Sequence, residues 1–503
     1  MIELTASEVA HATGGRLAAD PEIRVTGQVV ADSRHVGPGS LFVALPGERV
    51  DGADFARGAV AAGAVLVLAE RDPAGEGDPL PLVVVDDVRI ALGDLARYVL
   101  ARLREANPAV HVFGITGSVG KTTTKDLLGL LVRGEDPADT IAPRGSYNSE
   151  VGLPLTVLGA SERTRNFVLE MGADKPGDIA YLASVAPPQI SITLAVGTAH
   201  IANFGSVEAI ADTKAEVITG LRPGGVAVLN ADDERVLGLA PRATGLGHRV
   251  VTFGRVPSAD VRAEDVTIDA RGRASFVLRV RGRITDAVEV ADDVRVPVRL
   301  RLVGEHHVSN ALGAATAAIL IGQSPAVVAE RLAVAEPGSP HRMAVTERPD
   351  GVTVIDDAYN ANPESMRAAL RSLAVMAGRE RRSVAVLGEM RELGDRARVA
   401  HHDIGLLVVR LNVKLLVVVG EGAYHIHEGA LQEGSWGEES VFVPDLDAAR
   451  AVLDERLEPG DVVLVKASNS TGLWRLGDEL AAGAVGARVA AGAAHEPEPG
   501  AAR

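Results

Sequence analysis

A strand that runs through a glycine-rich turn into a helix constrains the fold of this chain more than any other segment. Residues 110–132 read VHVFGITGSVGKTTTKDLLGLLV, in which an apolar run is followed by Gly117 and Gly120 and then by an amphipathic helix. Further apolar runs without polar alternation occur at Phe167–Leu169, Ile190–Val196 and Val226–Leu229. Such runs suit the strands of a parallel sheet that is covered on both faces. The sequence therefore predicts an α/β fold.

The turn itself has the residue types of a phosphate-binding loop. Backbone N–H groups between the strand and the helix can cradle phosphates, and the positive end of the helix dipole assists them. Ile115 stands where the full motif has its first glycine, so the chain carries the shorter form Gly-x-x-Gly-Lys-Thr. A Gly-Lys-Thr triplet alone is often a simple helix start, but the strand before it favours a nucleotide site. We predict nucleotide-binding residues at Gly117, Ser118, Val119, Gly120, Lys121, Thr122 and Thr123.

The length of 503 residues predicts about three domains at the usual size of roughly 150 residues each. We expect a small N-terminal α/β domain over residues 1–85, a central domain that resembles phosphate-loop ATPases over 86–336, and a Rossmann-like α/β domain over 337–482. Polar and apolar residues alternate from Val251 to Leu302, which predicts an antiparallel segment within the mostly parallel central sheet. Residues 483–503, rich in Ala, Gly, Pro and Glu, are predicted to form a disordered tail.

Charge and composition exclude several classes of function. The net charge of −16 argues against a nucleic-acid partner, because affinity for a phosphate backbone comes from clustered Lys and Arg. The chain has no cysteine, which excludes disulfides and thiolate chemistry. The N-terminus lacks the features of a secretory signal, and the longest nearly apolar stretch, Ala311–Ile321, is shorter than the ~18 residues of a membrane span. We expect a cytoplasmic monomer without membrane insertion.

Polar side chains that follow predicted strands are candidates for the same site. Glu170 ends the strand NFVLE, and His200 follows the strand ISITLAV. Ligands of parallel α/β sheets bind outside the carboxyl ends of the strands, where the phosphate loop also lies. Taken singly, such a carboxylate is often a cap and such a histidine is often structural. In the third domain the string VIDDAYNANPESM, residues 354–366, places two carboxylates and two asparagines before a helix that begins with proline.

These motifs together resemble the Mur ligase family. The similarity runs through Asp32-Ser33-Arg34, LFVALPGERVDG, GITGSVGKTTTK, SYNSEVGLPLTVL, LEMGA, AHIANFGS, GEHHVSNAL, PHRM, DDAYNANPESM and VLGEMRELG, and so covers nearly all of the chain except the tail. The resemblance implies an ATP-dependent ligase that forms an amide bond through an acyl phosphate. Within the family, DDAYNANPESM favours the branch that adds D-alanyl-D-alanine to UDP-N-acetylmuramoyl-tripeptide, in the synthesis of the bacterial cell wall.

The resemblance also implies a role for each domain and for individual residues. The first domain would bind the UDP-linked substrate, the central domain ATP with two Mg²⁺ ions, and the third domain would complete the ligase site. Thr122, Glu170, His200 and Lys214 as its carbamate would hold the metals, and Lys121, Glu170, His200 and Lys214 are the implied catalytic residues. Asn310, Arg342 and Asp357 would contact the nucleotide. Ser33, Arg34, Asn148, Asn360 and Asn362 would contact the substrates.

The chain departs from the family pattern at three places. Ser149 follows Asn148 where the family commonly has a second asparagine, His307 stands where asparagine is usual, and Lys466-Ala-Ser-Asn-Ser replaces a usual Lys-Gly-Ser-Arg. Two rival functions stay open on the sequence. One is another amide ligase, either a different step of the same pathway or a folate polyglutamate ligase. The other is a regulatory protein that uses the nucleotide as a switch.

Overall fold

Three sheets, each with its own helices, organise the computed structural model. It describes residues 2–47, 50–73, 79–198, 201–282, 284, 293–434 and 439–485. Nearly all the parallel strands are buried apolar runs, and several of the helices between them begin at a side-chain cap such as Ser206 or Asp445 or at a proline such as Pro363. The predicted α/β class with three domains is confirmed.

The first sheet belongs to the N-terminal domain. Its elements are β1 (Leu4–Thr5), α1 (Ala6–Thr13), β2 (Arg16–Ala18), β3 (Arg24–Val25), β4 (Val29–Val30), β5 (Ser40–Val43), α2 (Ala56–Ala61), β6 (Ala64–Ala69), β7 (Leu82–Val84) and α3 (Val88–Ala106). The sheet has the order β2-β7-β6-β5-β4, in which β2 is antiparallel, and β1 pairs separately with β3.

The long helix α3 joins this domain to the next one. Its buried face includes Leu92, Leu95 and Val99, which belong to one continuous apolar cluster with Leu4 of the first domain and Leu153 of the central domain. The first two domains therefore share a core, because α3 packs on both of them.

The central domain carries the phosphate loop. Its elements are β8 (His111–Thr116), α4 (Lys121–Val132), β9 (Thr140–Ile141), α5 (Gly152–Leu158), β10 (Asn166–Glu170), α6 (Asp178–Val185), β11 (Ile190–Thr193), α7 (Ile201–Phe204), α8 (Val207–Thr219), β12 (Val226–Asn230), α9 (Glu234–Leu237), α10 (Ala240–Gly245), β13 (Arg249–Gly254), β14 (Val261–Ile268), β15 (Arg273–Arg281), β16 (Asp293–Val303), α11 (His307–Leu320) and α12 (Pro325–Val334).

The topology of this sheet positions the site. Its order is β16-β15-β14-β13-β12-β11-β8-β10-β9, and all pairings from β9 to β14 are parallel. The chain leaves β8 toward β9 and β10 on one side and then crosses to β11 on the other. A crevice forms at such a switch point, and here it lies beside the glycine-rich turn. The antiparallel part begins at Val261, later than the predicted Val251, because β13 still pairs in parallel with β12.

The third domain follows the segment EPGSPHR. Its elements are β17 (Ala344–Glu347), β18 (Thr353–Asp356), α13 (Pro363–Ala377), β19 (Ser383–Leu387), α14 (Ala397–Arg410), β20 (Leu415–Val419), α15 (Tyr424–Glu433), β21 (Ser440–Val443), α16 (Leu446–Arg456), β22 (Val462–Lys466) and α17 (Trp474–Ala481). The sheet order is β17-β18-β22-β19-β20-β21, with only β17 antiparallel among the described strands.

The end of the third domain lies slightly beyond the predicted residue 482. Val485 is buried, and its carbonyl oxygen accepts a hydrogen bond from the guanidinium of Arg348 at 2.8 Å. Residues 483–485 therefore pack on the domain instead of starting the tail. The rest of the predicted tail, residues 486–503, lies outside the described residues. None of the helices described here is long and apolar enough to cross a membrane.

Candidate active site

A cleft of about 620 Å³ lies between the central and third domains. The glycine-rich turn and the start of α4 form one wall of it, and the loops after β18, β19 and β22 form the opposite wall. Because these loops follow the carboxyl ends of their strands, the strand ends of the central and third-domain sheets face the same cleft. Residues more than 200 positions apart in the chain thus share a single site.

The glycine-rich turn is held in shape by hydrogen bonds to the loop after β11. The Ser118 N–H donates to the carbonyl of Ala195 at 2.9 Å, and the Gly197 N–H donates to Ser118 Oγ at 2.9 Å. Lys121 folds back so that its Nζ donates to the carbonyl of Gly117 at 2.8 Å. Burial lowers the pKa of Lys121, while the nearby Glu170 carboxylate acts in the opposite direction. The turn is therefore a preformed cradle with one cation at its centre.

Gly120 allows a close approach between the turn and α11. It has a φ of 85°, and a Cβ at this position would lie 2.3 Å from Oδ1 of Asn310. Asn310 is buried, and its Nδ2 lies 3.2 Å from Nδ1 of His307. Burial lowers the pKa of His307 well below its usual range, so the ring is neutral and Nδ1 can accept this hydrogen bond. His307 thereby fixes Asn310 against the turn.

Substitution of Gly120 by alanine is expected to weaken ADP binding at least tenfold. The new methyl group displaces the Asn310 amide, and the left-handed backbone adds strain of about 1 kcal/mol. Isothermal titration calorimetry with ADP measures the effect. The matched control is Gly224→Ala, since Gly224 also has a positive φ of 72° but has open space around its Cβ position. Equal ADP affinity in both variants would contradict the steric role of Gly120.

Two buried groups lie beside the cradle on the central domain. Glu170, at the end of β10, is 2% exposed and accepts a hydrogen bond from Ser146 Oγ at 2.6 Å, while its Oε1 is buried without a partner among the described residues. Lys214 of α8 is 8% exposed and lines the cleft. Desolvation, with a smaller contribution from the charge of Lys121, lowers the pKa of Lys214 to about 7. A carboxylate oxygen without a partner and a readily neutralised amine are both unusual in a protein interior.

The third domain contributes Arg342, which reaches across the cleft. Its guanidinium donates to Oγ1 of Thr122 at 3.0 Å and stacks over the ring of Tyr359 at 4.2 Å from the centroid. The residues on either side of it, His341 and Met343, have φ values of 55° and 51°. Strained backbone of this kind is found preferentially at functional sites. The backbone turn at His341 and Met343 thus places Arg342 at the domain interface.

Asp357 and Lys466 form a buried ion pair on the same wall. Lys466 Nζ lies 2.6 Å from Oδ2 of Asp357 and donates to the carbonyl of Asn360 at 2.7 Å, while the Met343 N–H donates to Oδ1 of Asp357 at 3.1 Å. Desolvation lowers the pKa of Lys466, and the carboxylate opposes that shift. The pair is fully hydrogen-bonded, which stabilises both charges in this dry environment.

Polar contacts from the start of α13 connect the two domains. The Glu364 carboxylate accepts hydrogen bonds from the Thr198 N–H at 3.1 Å and from the Thr198 hydroxyl at 2.9 Å. Asn362, which caps α13, lies 3.5 Å from the carbonyl of Ser118 through its Nδ2. The string VIDDAYNANPESM thus connects the third domain to the phosphate loop.

Most of the residues selected from the sequence meet in this cleft. Its lining includes Gly117, Ser118, Val119, Gly120, Lys121, Thr122, Thr123, Asn148, Lys214, Asn310, Arg342, Asp357, Asn360 and Asn362. Glu170 lies immediately behind Ser146. Ser33 and Arg34 are elsewhere, in a short turn of the first domain where the Arg34 side chain is 85% exposed and pairs with Asp32. His200 lies outside the described residues.

The sequence analysis did not select several residues of the cleft. Tyr359 and Glu364 lie inside the string VIDDAYNANPESM. Nothing in the sequence shows that Tyr359 stacks on Arg342 or that Glu364 accepts hydrogen bonds from Thr198. Lys466 ends β22, and the rule that polar residues at strand ends face the ligand could have selected it. Arg391 lies three residues after Gly388, which ends the run SVAVLG, and its place within the motif VLGEMRELG does not by itself indicate that it lines the cleft.

A preformed phosphate cradle, buried groups suited to a metal, and a third domain that closes over them define a phosphate-loop enzyme that works between domains. Comparisons with known proteins agree. Models of the Mur ligase family match the chain as its catalytic domain at residues 27–99, its middle domain at 115–318 and its glutamate ligase domain at 341–469. The chain belongs to the Mur ligase family.

Individual relatives are similar over nearly the whole chain. A UDP-N-acetylmuramoyl-tripeptide–D-alanyl-D-alanine ligase of Mycobacterium tuberculosis strain H37Rv is 46% identical, over 96% of this chain and 98% of the relative. That of Bacillus subtilis strain 168 is 30% identical, over 95% and 99%. Among solved structures, MurF from Acinetobacter baumannii is 30% identical with a TM-score of 0.81, over 95% and 99%. MurF ligase from Thermotoga maritima in complex with ADP is 29% identical with a TM-score of 0.74, over 91% and 98%.

Proposed function

We propose that this protein is the ATP-dependent ligase that adds D-alanyl-D-alanine to UDP-N-acetylmuramoyl-tripeptide in the synthesis of peptidoglycan precursors. The relatives named above, which carry this activity in their names, support the proposal over the length of the chain. The observation that carries it is the meeting of the phosphate loop with the string VIDDAYNANPESM in one cleft. A phosphate loop alone fits many nucleotide-binding proteins, whereas this string points to one branch of the family.

The chemistry divides one difficult step into two easier ones. A carboxylate is a poor electrophile, so the terminal carboxylate of the tripeptide first attacks the γ-phosphorus of ATP, which forms an acyl phosphate and releases ADP. The neutral amine of the dipeptide then attacks the acyl carbon, and inorganic phosphate leaves from the tetrahedral intermediate as the amide forms. The proton of the original ammonium group passes to solvent. Catalysis of this kind depends on position and charge more than on a nucleophilic side chain.

The central domain supplies the phosphate site. Backbone N–H groups from Gly117 to Thr122 surround the phosphates, and Lys121 exchanges its bond to the Gly117 carbonyl for the terminal phosphates. Asn310, which lies against Gly120, contacts the nucleotide from α11. These groups lower the cost of bringing an anionic carboxylate to an anionic phosphate.

Magnesium fits the residues on this side of the cleft. Oε1 of Glu170 is buried and has no hydrogen-bond partner among the residues that the structure describes, which is costly unless a cation or a donor approaches it. The hydroxyl of Thr122 and a carbamate on Lys214 would add oxygen ligands, and we assign His200 to the second of two ions. Bound Mg²⁺ supplies positive charge to the phosphates. Because the pKa of Lys214 is lowered to about 7, much of its amine is neutral near physiological pH and can react with carbon dioxide.

Domain closure completes the site and the substrate contacts. Arg342 contacts Thr122, and Asp357 lies on the wall opposite the phosphate loop. Because both residues belong to the third domain, they meet the nucleotide only when that domain is close to the central one. Asn148, Asn360 and Asn362 contact the peptide part of the substrates. We place the uridine end at Ser33 and Arg34 of the first domain, where the Arg34 side chain is 85% exposed. We also propose that the protein is a monomer and that it is cytoplasmic, and the absence of cysteine accords with a reducing compartment.

The direct test combines the purified protein with ATP, Mg²⁺, UDP-N-acetylmuramoyl-tripeptide and D-alanyl-D-alanine. We expect phosphate release that requires all four components, together with a product that mass spectrometry identifies as the pentapeptide. A panel with single amino acids and with folate polyglutamate substrates separates the rival ligases. ATP hydrolysis that is independent of both cosubstrates, without amide product, would refute the proposal and favour a nucleotide switch.

A further inference from the structure

We propose that Arg391 anchors the carboxylate of the incoming dipeptide and so selects a free C-terminal acid in the second substrate. The inference rests on the proposed function and names a specificity-determining residue for it. A dipeptide that attacks through its amine still carries a negative carboxylate at its other end. A cation on the third-domain wall must balance that charge if the carboxylate enters the cleft.

The cleft has few cations that could do so. Those that the described residues contribute, apart from histidines, are Lys121, Lys214, Arg342, Arg391 and Lys466. Lys121 lies in the phosphate cradle, and Lys214 is buried beside it. Arg342 binds Thr122, and Lys466 is neutralised by Asp357. Arg391 also has a carboxylate partner, Glu389, but this pair is partly exposed and involves Nε at 3.1 Å, whereas the pair of Lys466 and Asp357 is buried. We therefore take Arg391 as the cation for the carboxylate.

The position of Arg391 suits a bidentate contact. Its Nε donates to Oε2 of Glu389 at 3.1 Å, which fixes the plane of the guanidinium. The two terminal nitrogens make no hydrogen bond within the part of the chain that the structure describes, and the side chain is 49% exposed. An arginine held by one edge presents two parallel N–H groups to a carboxylate with the other edge.

Backbone contacts connect this arginine to the loop after β22. The Arg391 N–H donates to Ser468 Oγ at 3.0 Å, and the Ser468 N–H donates to the Glu389 carbonyl at 3.0 Å. Asn469 and Ser470 of that loop also line the cleft. Asn469 stands where the family pattern Lys-Gly-Ser-Arg has its arginine. In this chain the positive charge therefore lies on Arg391, in the loop after β19, instead of in the loop after β22. Asn469 and Ser470 of the latter loop can donate hydrogen bonds to the same carboxylate.

The test compares D-alanyl-D-alanine with D-alanyl-D-alanine amide, which lacks the negative charge. For wild-type protein we expect kcat/KM to be about 10- to 100-fold higher with the acid than with the amide, the usual effect of a hydrogen bond to a charged group. Arg391→Ala is expected to raise the KM for the acid by the same factor and to leave the KM for the amide and for ATP within twofold. Arg391→Lys, which keeps the charge but not the fork, should fall between the two.

Arg398→Ala is the matched control, because Arg398 lies on α14 with a 70% exposed side chain and does not line the cleft. Circular dichroism melting confirms that each variant is folded, and if Arg391→Ala does not fold, Arg391→Lys decides the question. Unchanged discrimination between acid and amide in the folded Arg391 variant would overturn the inference while leaving the proposed function intact. If the wild-type protein makes no amide product at all, the proposed function fails first.

Discussion

Substitution of Lys121 by methionine is expected to lower kcat/KM for ATP about 100- to 1,000-fold, the usual effect of removing one preorganised charge from a transition state. Methionine keeps the length and the apolar stem of lysine but has no charge. In the structure the ammonium lies within the turn, bound to the Gly117 carbonyl at 2.8 Å, so it is already held beside the phosphate site and exchanges this one hydrogen bond when phosphates bind. The loss should appear mainly in kcat if the charge acts on the transferring phosphoryl group.

Coupled measurement of ADP release with all substrates present determines this effect. The matched control is Lys414→Met, because Lys414 is exposed in the loop before β20 and contacts only Asn412 through a side-chain hydrogen bond at 2.8 Å among the described residues. We expect that control to retain full activity. A Lys121→Met enzyme within threefold of wild type would show that the cradle works without its cation and would contradict the mechanism.

Substitution of Lys214 by alanine is expected to reduce activity at least 100-fold, and millimolar short carboxylates such as acetate or propionate should restore part of it. An ammonium group cannot ligate a cation, whereas a carbamate offers anionic oxygen to Mg²⁺. A small carboxylate that enters the space left by the side chain can replace that oxygen. Lys414→Ala serves as the control, since an exposed lysine should show neither the loss nor the restoration.

Carbamate formation should also depend on pH in a defined direction. Carbon dioxide reacts with the neutral amine, and the pKa of Lys214 is lowered to about 7, so the carbamate should diminish as the pH falls through 7. In protein without carbon dioxide, the unfolded chain binds the proton more tightly than the folded chain, so the free energy of unfolding should rise from pH 7 toward the ordinary lysine pKa. Carbon-13 NMR with labelled bicarbonate should give a carbamate signal that is absent in Lys214→Ala. Its absence from wild-type protein at pH 8 would refute the modification.

Sequence patterns identified the fold where burial is strongest. The apolar runs before Gly117, Glu170 and Asp357 form β8, β10 and β18. A strand that is covered on both faces requires apolar residues at nearly every position, so its pattern is easy to recognise. Two strands of the third domain, β17 and β21, were not predicted. Both are four-residue edge strands with partly exposed side chains, so their pattern is weak.

The site was predictable to the extent that its residues lie in local motifs. The cradle from Gly117 to Thr122 follows from one segment, and Glu170 follows from its place at a strand end. The approach of Arg342 to Thr122 involves residues 220 positions apart, and only the folded chain reveals it. The same holds for Arg391, whose position depends on hydrogen bonds between two loops. Family resemblance supplied the role of Lys214, which residue patterns alone would have placed on a solvated helix.

The three domains are not attached to one another equally strongly. This difference determines which domain can move when the enzyme releases its product. The first and central domains share a continuous apolar cluster through α3, and separating them would expose that core to water. The third domain meets the central one through hydrogen bonds of Arg342, Asn362 and Glu364, and among the described residues its own core cluster includes a single central-domain side chain, Val303. Water can replace such polar bonds at little net cost. During turnover the third domain can therefore move relative to the rigid unit that the first and central domains form, and neither the shared core nor the core of the third domain has to unfold.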